Sequence, residues 1–374
     1  MAIPRPVPLT VGEPAPWFFC RTQRRPRFAF DTIAGRYIVL SFFGSASAPN
    51  SVTLLNSIKA NRARFDDKNL SFFGVSVDPA DEAENRTPDS LPGIRYFWDF
   101  DRAVSALYGA LDHAGAFRPV TYVLDPALRV LAAVPFSADA RMHVAALGTV
   151  LEKLPKVGDP VPAAAQAPVL VVPSVFEPKF CRSLLDHYEA HGGEESGFMR
   201  DVDGKTVALL DPEHKRRKDC VIEDEALRSA CKLRIRERLS PEIRKVFQFA
   251  ATHMERYIIS CYDAQDSGHF RAHRDNTTKG TLHRRFAVSL FLNSGEYEGG
   301  FLRFPEFGPS LYCAPPGGAV VFSCSLLHEA TPVTRGRRYM FLPFLYDDAA
   351  ARVREENLSF LDTSAAVAVR KTRS

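Results

Sequence analysis

The sequence predicts two domains of different class. An α/β domain covers residues 1–155. A mainly β, jelly-roll-like domain with flanking helices covers residues 169–360, and a linker joins them over 156–168. Three observations lead there. Apolar runs fit for buried strands alternate with helical patterns up to about residue 154. The stretch KVGDPVPAAAQAP, residues 156–168, is rich in Pro and Ala and has no hydrophobic period, as suits a semi-rigid linker. Beyond Glu255, short β-rich runs follow each other between turn signals. The length of 374 residues suits two or three domains, and the 28 phenylalanines suit sheet-rich cores.

Tyr37 to Phe43 (YIVLSFF) reads as a buried strand, and a helix is expected from about Ser51 to Phe65. Leu70 to Val77 is a second strand, and Arg102 to Leu111 is expected to be helical. Thr121 to Leu124 and Val130 to Val134 flank the turn at Asp125-Pro126 as a hairpin, and Ala140 to Leu154 closes the domain as a helix. This βαβ…ββα order is that of a thioredoxin-like domain. After the linker, Glu177 to His191 and Asp224 to Leu239 read as helices. From Glu255 to Tyr346, turns are expected at Asn293-Ser294-Gly295, Glu298-Gly299-Gly300 and Pro315-Pro316-Gly317-Gly318. Residues 361–374 form a tail.

Charge and cysteine usage exclude several functional classes. The chain has 48 basic and 44 acidic residues, and residues 1–155 hold 17 and 15 of them. Both parts are near neutral, which argues against nucleic-acid binding. The uncharged stretch Pro160 to Phe176 contains four prolines and cannot span a membrane as a helix. The N-terminus shows no apolar h-region of a signal peptide. Seven cysteines, none in CxxC spacing, read as mostly buried thiols in a reducing compartment, hence the cytoplasm.

The residues richest in chemistry are His273-Arg274-Asp275 and His328. In a strand, residues i and i+2 face one side, so His273 and Asp275 can present an imidazole and a carboxylate to one ion. With His328, 55 residues later, they make the two-His, one-carboxylate set that holds non-haem Fe(II) and leaves coordination positions open. The segment around His328 reads LLHEATPVTRGRRYMF. Arg338 lies on one strand face with Met340, Leu342 and Phe344, and its neighbour Arg337 should point away. A guanidinium fork binds a carboxylate co-substrate bidentately. Phe286, Val288, Leu290 and Phe322 are candidates to shield the site. His269, in Gly268-His269-Phe270, lacks a paired carboxylate and is not expected to bind metal. The basic run His214 to Lys218 reads as a solvated loop, with guidance of an acidic substrate as the alternative. Lys232, Arg234, Arg236 and Arg238 read as a helix surface.

GHFRAHRDN, RRFAVSLFLN, EGGFLRFPEFG, GGAVVFSCSLLHEATPV and RGRRY resemble, in order and spacing, the prolyl-4-hydroxylase-type 2-oxoglutarate/Fe(II) dioxygenases over roughly Phe176 to Asp347. The resemblance implies a double-stranded β-helix with a core at about 255–347. It also implies His273, Asp275 and His328 as iron ligands, Arg338 as the 2-oxoglutarate anchor and Tyr262, in CYDA, as a pocket tyrosine. Phe291 stands near where some members place a second tyrosine, so another hydroxyl is expected to assist Arg338. The implied reaction consumes 2-oxoglutarate and O2 and yields succinate and CO2, with ascorbate as reductant. The implied substrate is a protein or peptidyl side chain such as proline, with a small metabolite as the other class.

GEPAPWF, YIVLSFFGSASAPN, FFGVSVDPADE and RPVTYVLDPALRVL resemble the thioredoxin/peroxiredoxin superfamily. The resemblance implies a redox motif after the first core strand, where this chain has Ser47-Ala48-Pro49-Asn50 and Ser51. No cysteine stands there, and a serine hydroxyl cannot replace a thiolate nucleophile. Pro119 matches the proline before the later strand. Cys20 is the one cysteine in this domain; Arg21, Arg24 and Arg25 favour a thiolate, but a buried peripheral thiol is the simpler reading. The domain is expected to be redox-inactive and to dock a partner or the substrate. Two other functional classes stay open: a thiol peroxidase or reductase, and a non-catalytic iron or 2-oxoglutarate sensor.

Overall fold

The computed structural model describes residues 5–162, 165–361 and 367–368. Residues 163–164 of the expected linker, and 362–366 and 369–374 of the expected tail, lie outside the described residues, as do residues 1–4. The chain divides into two compact units, Met1–Val161 and Pro162–Ser374.

The first unit is built on strands β1 (Phe19–Thr22), β2 (Phe28–Ala29), β3 (Tyr37–Gly44), β4 (Leu70–Ser76), β5 (Ile94–Trp98), β6 (Val120–Leu124) and β7 (Val130–Pro135). Its sheet order is β2-β1-β5-β4-β3-β6-β7, with β3, β4 and β5 parallel and β6 and β7 antiparallel to their neighbours. Helices α1 (Pro49–Ala60), α2 (Pro79–Ala83), α3 (Ala103–Leu107) and α4 (Ala140–Glu152) complete the unit. Pleating sends alternate residues of β3 to opposite cores. Ile38, Leu40 and Phe42 join Phe73, Phe97 and Tyr122 on one face. Val39 and Phe43 join Leu54, Leu55 and Ile58 of α1 and Leu147 and Leu151 of α4 on the other. Burial on both faces explains why this run reads as continuously apolar. Gly74 in β4 leaves room for rings: a Cβ there would meet Tyr96 at 2.7 Å and Phe43 at 2.8 Å.

Several expected bounds are corrected. The helix expected over 51–65 ends at Ala60, and a 3₁₀ turn follows at Arg62–Arg64. The helix expected over 102–111 is only Ala103–Leu107, because Gly109 takes φ +66 just beyond it. Strand β5 and the β1–β2 hairpin are additional to the expected elements.

In the second unit the strands are β8 (Leu170–Val172), β9 (Glu194–Glu195), β10 (Phe198–Val202), β11 (Lys205–Leu210), β12 (Lys215–Arg216), β13 (Lys218–Val221), β14 (His253–Glu255), β15 (Ile258–Asp263), β16 (His269–His273) and β17 (Phe286–Phe291). They continue as β18 (Glu298–Gly299), β19 (Leu302–Arg303), β20 (Leu311–Tyr312), β21 (Ala319–Ser323), β22 (His328–Ala330), β23 (Val333–Arg335), β24 (Arg337–Phe341) and β25 (Phe344–Tyr346). A large sheet, β14-β25-β17-β24-β15-β13-β9 with β21 and β8 added through β17, faces a smaller one, β12-β16-β22-β19-β20. Phe270, Phe291, Leu302, Phe304, Phe322 and Met340 fill the space between them. Helices α5 (Pro178–His191), α6 (Glu225–Arg234) and α7 (Ser240–Phe247) cover the outer face of the large sheet through Leu184, Tyr188, Cys231 and Ile243. A final helix, α8, spans Asp348–Asn357.

The helix expected over 224–239 divides: a π turn at Ile235–Leu239 precedes α7. It falls just before Pro241, whose ring nitrogen cannot donate to a regular turn. Arg234 and Arg238 are not surface residues: both reach Glu177 at 2.6 Å, and Arg238 is buried. The end of the expected linker is packed, with Ala167 buried and its N–H donating to the Tyr312 hydroxyl at 2.8 Å. Six of the seven cysteines are buried, Cys313 is exposed, and all are free thiols.

Candidate metal centre and co-substrate pocket

Strands β16 and β22 are antiparallel neighbours in the small sheet, and His273 and His328 are direct register partners. Their imidazoles lie 4.3 Å apart. Asp275 meets both: its two carboxylate oxygens are 3.5 Å from His273 Nε2 and 3.3 Å from His328 Nε2. The expected spacing is met, but not by strand alternation. The strand ends at His273, and the chain turns so that the Asp275 N–H donates to Cys324 O at 2.9 Å.

The hydrogen bonds around the three side chains fit a cation among them. His273 Nδ1 donates to Arg271 O at 2.8 Å and His328 Nδ1 to Leu326 O at 3.0 Å. Burial, with the His273 charge beside it, pushes His328 down to about 4, so the ring is neutral and Nε2 is bare. Burial raises the Asp275 carboxyl, but the positive charge around it, Arg284 included, outweighs that and holds the group ionised. With each Nδ1–H given to a carbonyl, the neutral form of either ring turns an Nε2 lone pair to the carboxylate, and a cation among the three relieves that repulsion. The Nδ1 bonds to carbonyls are those that orient metal-bound histidines. His273, Asp275 and His328 are the one such group of three among the described residues, with ligand atoms within 4.8 Å of one another. His269 is not part of it; its ring is held by Ser267 O and Glu213 O.

Beside the triad, between the sheets, lies a pocket lined by Tyr262, Ser289, Phe322 and Arg338 together with the three candidate ligands. Arg338 is 1% exposed, and its Nε has no acceptor. The guanidinium lies over the rings of Tyr262 at 4.9 Å and Phe291 at 5.3 Å, and no carboxylate among the described residues pairs with it. A buried guanidinium without a counter-ion costs several kcal/mol, so the pocket fits an anionic ligand. Gly300 lets the side chain pass: at φ +63, a Cβ there would lie 2.6 Å from Arg338 Cδ. Arg337 points outward and pairs with Asp263 at 2.9 Å. Tyr262 sits opposite Arg338 across β15 and β24, and its hydroxyl accepts from Arg217 at 3.4 Å. Ser289 is the inward hydroxyl nearest in sequence to Phe291.

The expected shield is corrected. Phe286, Val288 and Leu290 pack with the helix-side core, and Phe322 alone of the four faces the inter-sheet core. FAVSLF is apolar on both faces, so alternation divides its residues without saying which half faces in. The basic run is corrected too: Lys215 and Arg217 are buried, whereas Arg216 and Lys218 are exposed. Arg217 reaches the Asp219 carboxylate at 2.6 Å, and Arg256 reaches the same group at 3.3 Å. The i, i+2 placement of Lys215 and Arg217 was the available signal.

In the first unit, Ser47 and Ala48 precede α1 and Pro49 and Asn50 begin it. Ser51 is buried and donates to Phe43 O at 2.9 Å. Burial, with Asp99 nearby, pushes the Cys20 thiol up to about 12. The arginines beside it are otherwise engaged: Arg21 pairs with Glu82 and lies over Trp98, and Arg25 lies over Phe28. No helix among the described residues is long and apolar enough to cross a membrane.

Residues 11–133 match the AhpC/TSA family, and residues 257–346 match the 2OG-Fe(II) oxygenase superfamily. A PKHD-type hydroxylase of Azoarcus sp. (strain BH72) is 35% identical over 99 residues, covering 24% of this chain and 44% of that protein. One of Synechococcus sp. (strain JA-3-3Ab) is 34% identical over 102 residues, covering 25% and 45%. The chain thus spans less than half the length of these curated relatives. A prolyl-4-hydroxylase structure from Pseudomonas putida is 18% identical with a TM-score of 0.37, covering 49% of this chain and 94% of that one. The chain carries an AhpC/TSA-type redoxin domain followed by a domain of the 2OG-Fe(II) oxygenase superfamily.

Proposed function

We propose that the protein is an Fe(II)- and 2-oxoglutarate-dependent dioxygenase that hydroxylates a substrate C–H. A single juxtaposition carries the reading: two imidazole Nε2 atoms and a carboxylate converge beside a buried arginine with no carboxylate partner among the described residues. Fe(II) with 2-oxoglutarate and O2, when bound, supplies oxidative decarboxylation to succinate and CO2 with transfer of one oxygen atom to the substrate.

In this reading His273, Asp275 and His328 hold the metal by three positions and leave the rest open. Arg271 O and Leu326 O fix the tautomer and tilt of the two rings. Arg338 orients the distal carboxylate of 2-oxoglutarate with Tyr262 beside it, and Ser289 supplies the hydroxyl that Phe291 lacks. Phe270, stacked on His273 at 3.5 Å, and Phe322, 4.6 Å from His328, keep water from the ligands. A peptidyl prolyl side chain is our leading substrate class, and ascorbate the reductant. The redoxin domain serves as a docking module without thiol chemistry, supported by its retained scaffold and serine-only motif. A cytoplasmic location is supported by seven free thiols.

The test is a screen of peptides and cell extract for substrate-stimulated succinate release, with mass spectrometry seeking a product heavier by one oxygen. Stimulated release that is lost in His328→Ala supports the reading; release independent of Fe(II) and of His328 contradicts it.

A further inference from the structure

On the open side of the triad the cavity wall carries more positive charge than the chain neutralises. A cavity of about 550 Å³ opens on His273 and Asp275. Its cations are Arg200, Lys215, Arg256, Arg274 and Arg284. Arg274 is matched by Glu306 and Arg284 by Glu255, each at 2.7 Å. Arg256 has only a share of Asp219, which Arg217 holds more closely. Of the two carboxylates in the wall, Asp275 belongs to the triad. Asp201 is held by the Thr206 hydroxyl and the Lys279 N–H. Arg200, exposed at the rim, and Lys215 have no carboxylate partner among the described residues.

Lys215 makes this a built site rather than a charged surface. It is 6% exposed, and its Nζ donates to Ser196 Oγ at 2.7 Å and Gly197 O at 2.6 Å. No carboxylate among the described residues lies at ion-pair distance from it; burial works against its protonation, Asp219 works the other way from farther off, and an anion beside it would add to that. Position ties it to the chemistry. Nζ lies 4.8 Å from the centroid of the Phe270 ring, and that ring stacks on His273, so one aromatic ring separates the ammonium from a candidate ligand. Arg338 does not line this cavity, and Lys215 and Arg200 do not line the 2-oxoglutarate pocket, whereas Arg256 borders both; the charge of Lys215 and Arg200 is therefore set apart from the anchor for 2-oxoglutarate.

We propose that the substrate carries an anionic group, a carboxylate or a phosphate, seated between Lys215 and Arg256 with Arg200 at the rim, while the C–H to be oxidised faces the metal. The proposal rests on the oxygenase reading above and narrows its substrate class. It also gives Lys215 and Arg256 a specificity role, since a neutral substrate would leave Lys215 without a carboxylate partner and Arg256 with only its share of Asp219.

The test uses the full chain, anaerobic, loaded with Fe(II) and saturated with 2-oxoglutarate. It is titrated calorimetrically with phospho-L-serine, with N-acetyl-L-glutamate and with neutral N-acetyl-L-glutamine. At least one anion should bind about tenfold or more tightly than the neutral control, as expected of a charge-assisted contact. Preference for phospho-L-serine assigns a phosphate; preference for N-acetyl-L-glutamate assigns a carboxylate. Lys215→Met should weaken that binding by about tenfold while 2-oxoglutarate affinity holds. Arg200→Gln, at an exposed position that cannot disturb the core, should weaken it by about threefold and flatten its salt dependence. Anions that bind no better than the neutral control, or equally well to both variants, overturn the proposal and leave the oxygenase reading intact. Failure of 2-oxoglutarate to bind the Fe(II)-loaded chain overturns both.

Discussion

Arg338 and Arg337 are adjacent, yet the fold gives them opposite surroundings. One is buried beside the triad without a counter-ion; the other is exposed and paired with Asp263. A charge-assisted hydrogen bond is worth about 1.5–3 kcal/mol, so Arg338→Ala should raise the dissociation constant of 2-oxoglutarate by about 10- to 100-fold. Arg338→Lys should recover only part, because an ammonium lacks the bidentate fork. Arg337→Ala should leave it nearly unchanged. Calorimetric titration of 2-oxoglutarate into each Fe(II)-loaded variant checks this, and a large effect at Arg337 alone would reverse the assignment. Gly300→Ala should act in the same direction as Arg338→Ala, since the new Cβ displaces the arginine stem. For the triad, His273→Ala and His328→Ala should each purify folded but without iron, read by metal analysis and circular dichroism. Wild-type iron content in either would remove that residue from the site.

Elements place these residues, and here the sequence was only partly legible. The pairing of β16 with β22 brings His273 onto His328, and the pairing of β15 with β24 brings Tyr262 onto Arg338. Residue types and the family resemblance pointed to the triad and Arg338, and the resemblance alone to Tyr262; the strand pairings that join them were not legible. The inner and outer faces of β17 were not legible, because Phe286–Phe291 is apolar on both sides and is buried by helices on one and by the small sheet on the other. Lys215 and Arg217 were read as solvated, because the carboxylate that Arg217 and Arg256 share, Asp219, becomes a partner only once β13 pairs with β15. Strand β5 went unread because Ile94–Trp98 carries a charge at Arg95, which the fold pairs with Asp67 at 2.7 Å.

One network at this scale makes a pH prediction. Glu255 in β14 accepts from His283 at 2.9 Å and Arg284 at 2.7 Å, and Arg284 in turn lies 4.1 Å over the Phe344 ring. Burial raises the Glu255 carboxyl, but these partners outweigh it and bring it from 4.5 down to about 2. A depressed carboxyl stabilises the fold fully above its unfolded value and loses that contribution as pH falls through the folded one. Stability should therefore decline between about pH 4.5 and 2, with this group contributing on the order of 3 kcal/mol. Glu255→Gln should lower the melting temperature at neutral pH and flatten its fall in acid. Equal acid slopes in thermal melts of the two proteins would show that the network carries no such linkage.

At the scale of the whole molecule, a redoxin scaffold without its motif cysteine is joined to an oxygenase-type domain in which His273, Asp275, His328 and Arg338 converge. The first unit keeps the sheet order, the buried double core and α1 where thiol chemistry would sit, and offers Ser47-Ala48-Pro49-Asn50 there. Its remaining thiol, Cys20, is pushed up to about 12 by burial and Asp99. The full chain should therefore reduce hydrogen peroxide no faster than its Cys20→Ser variant, measured by peroxide consumption with a thiol reductant; a clear loss in the variant would give Cys20 a redox role. The central claim lies in the second unit, that the triad and Arg338 form one Fe(II)–2-oxoglutarate site. It is tested most directly by anaerobic calorimetric titration of 2-oxoglutarate into the chain with and without Fe(II). The account predicts saturable binding that requires Fe(II), is abolished by His328→Ala and is weakened by about 10- to 100-fold in Arg338→Ala. Binding that is absent with Fe(II), or equal without the metal and in both variants, would contradict it.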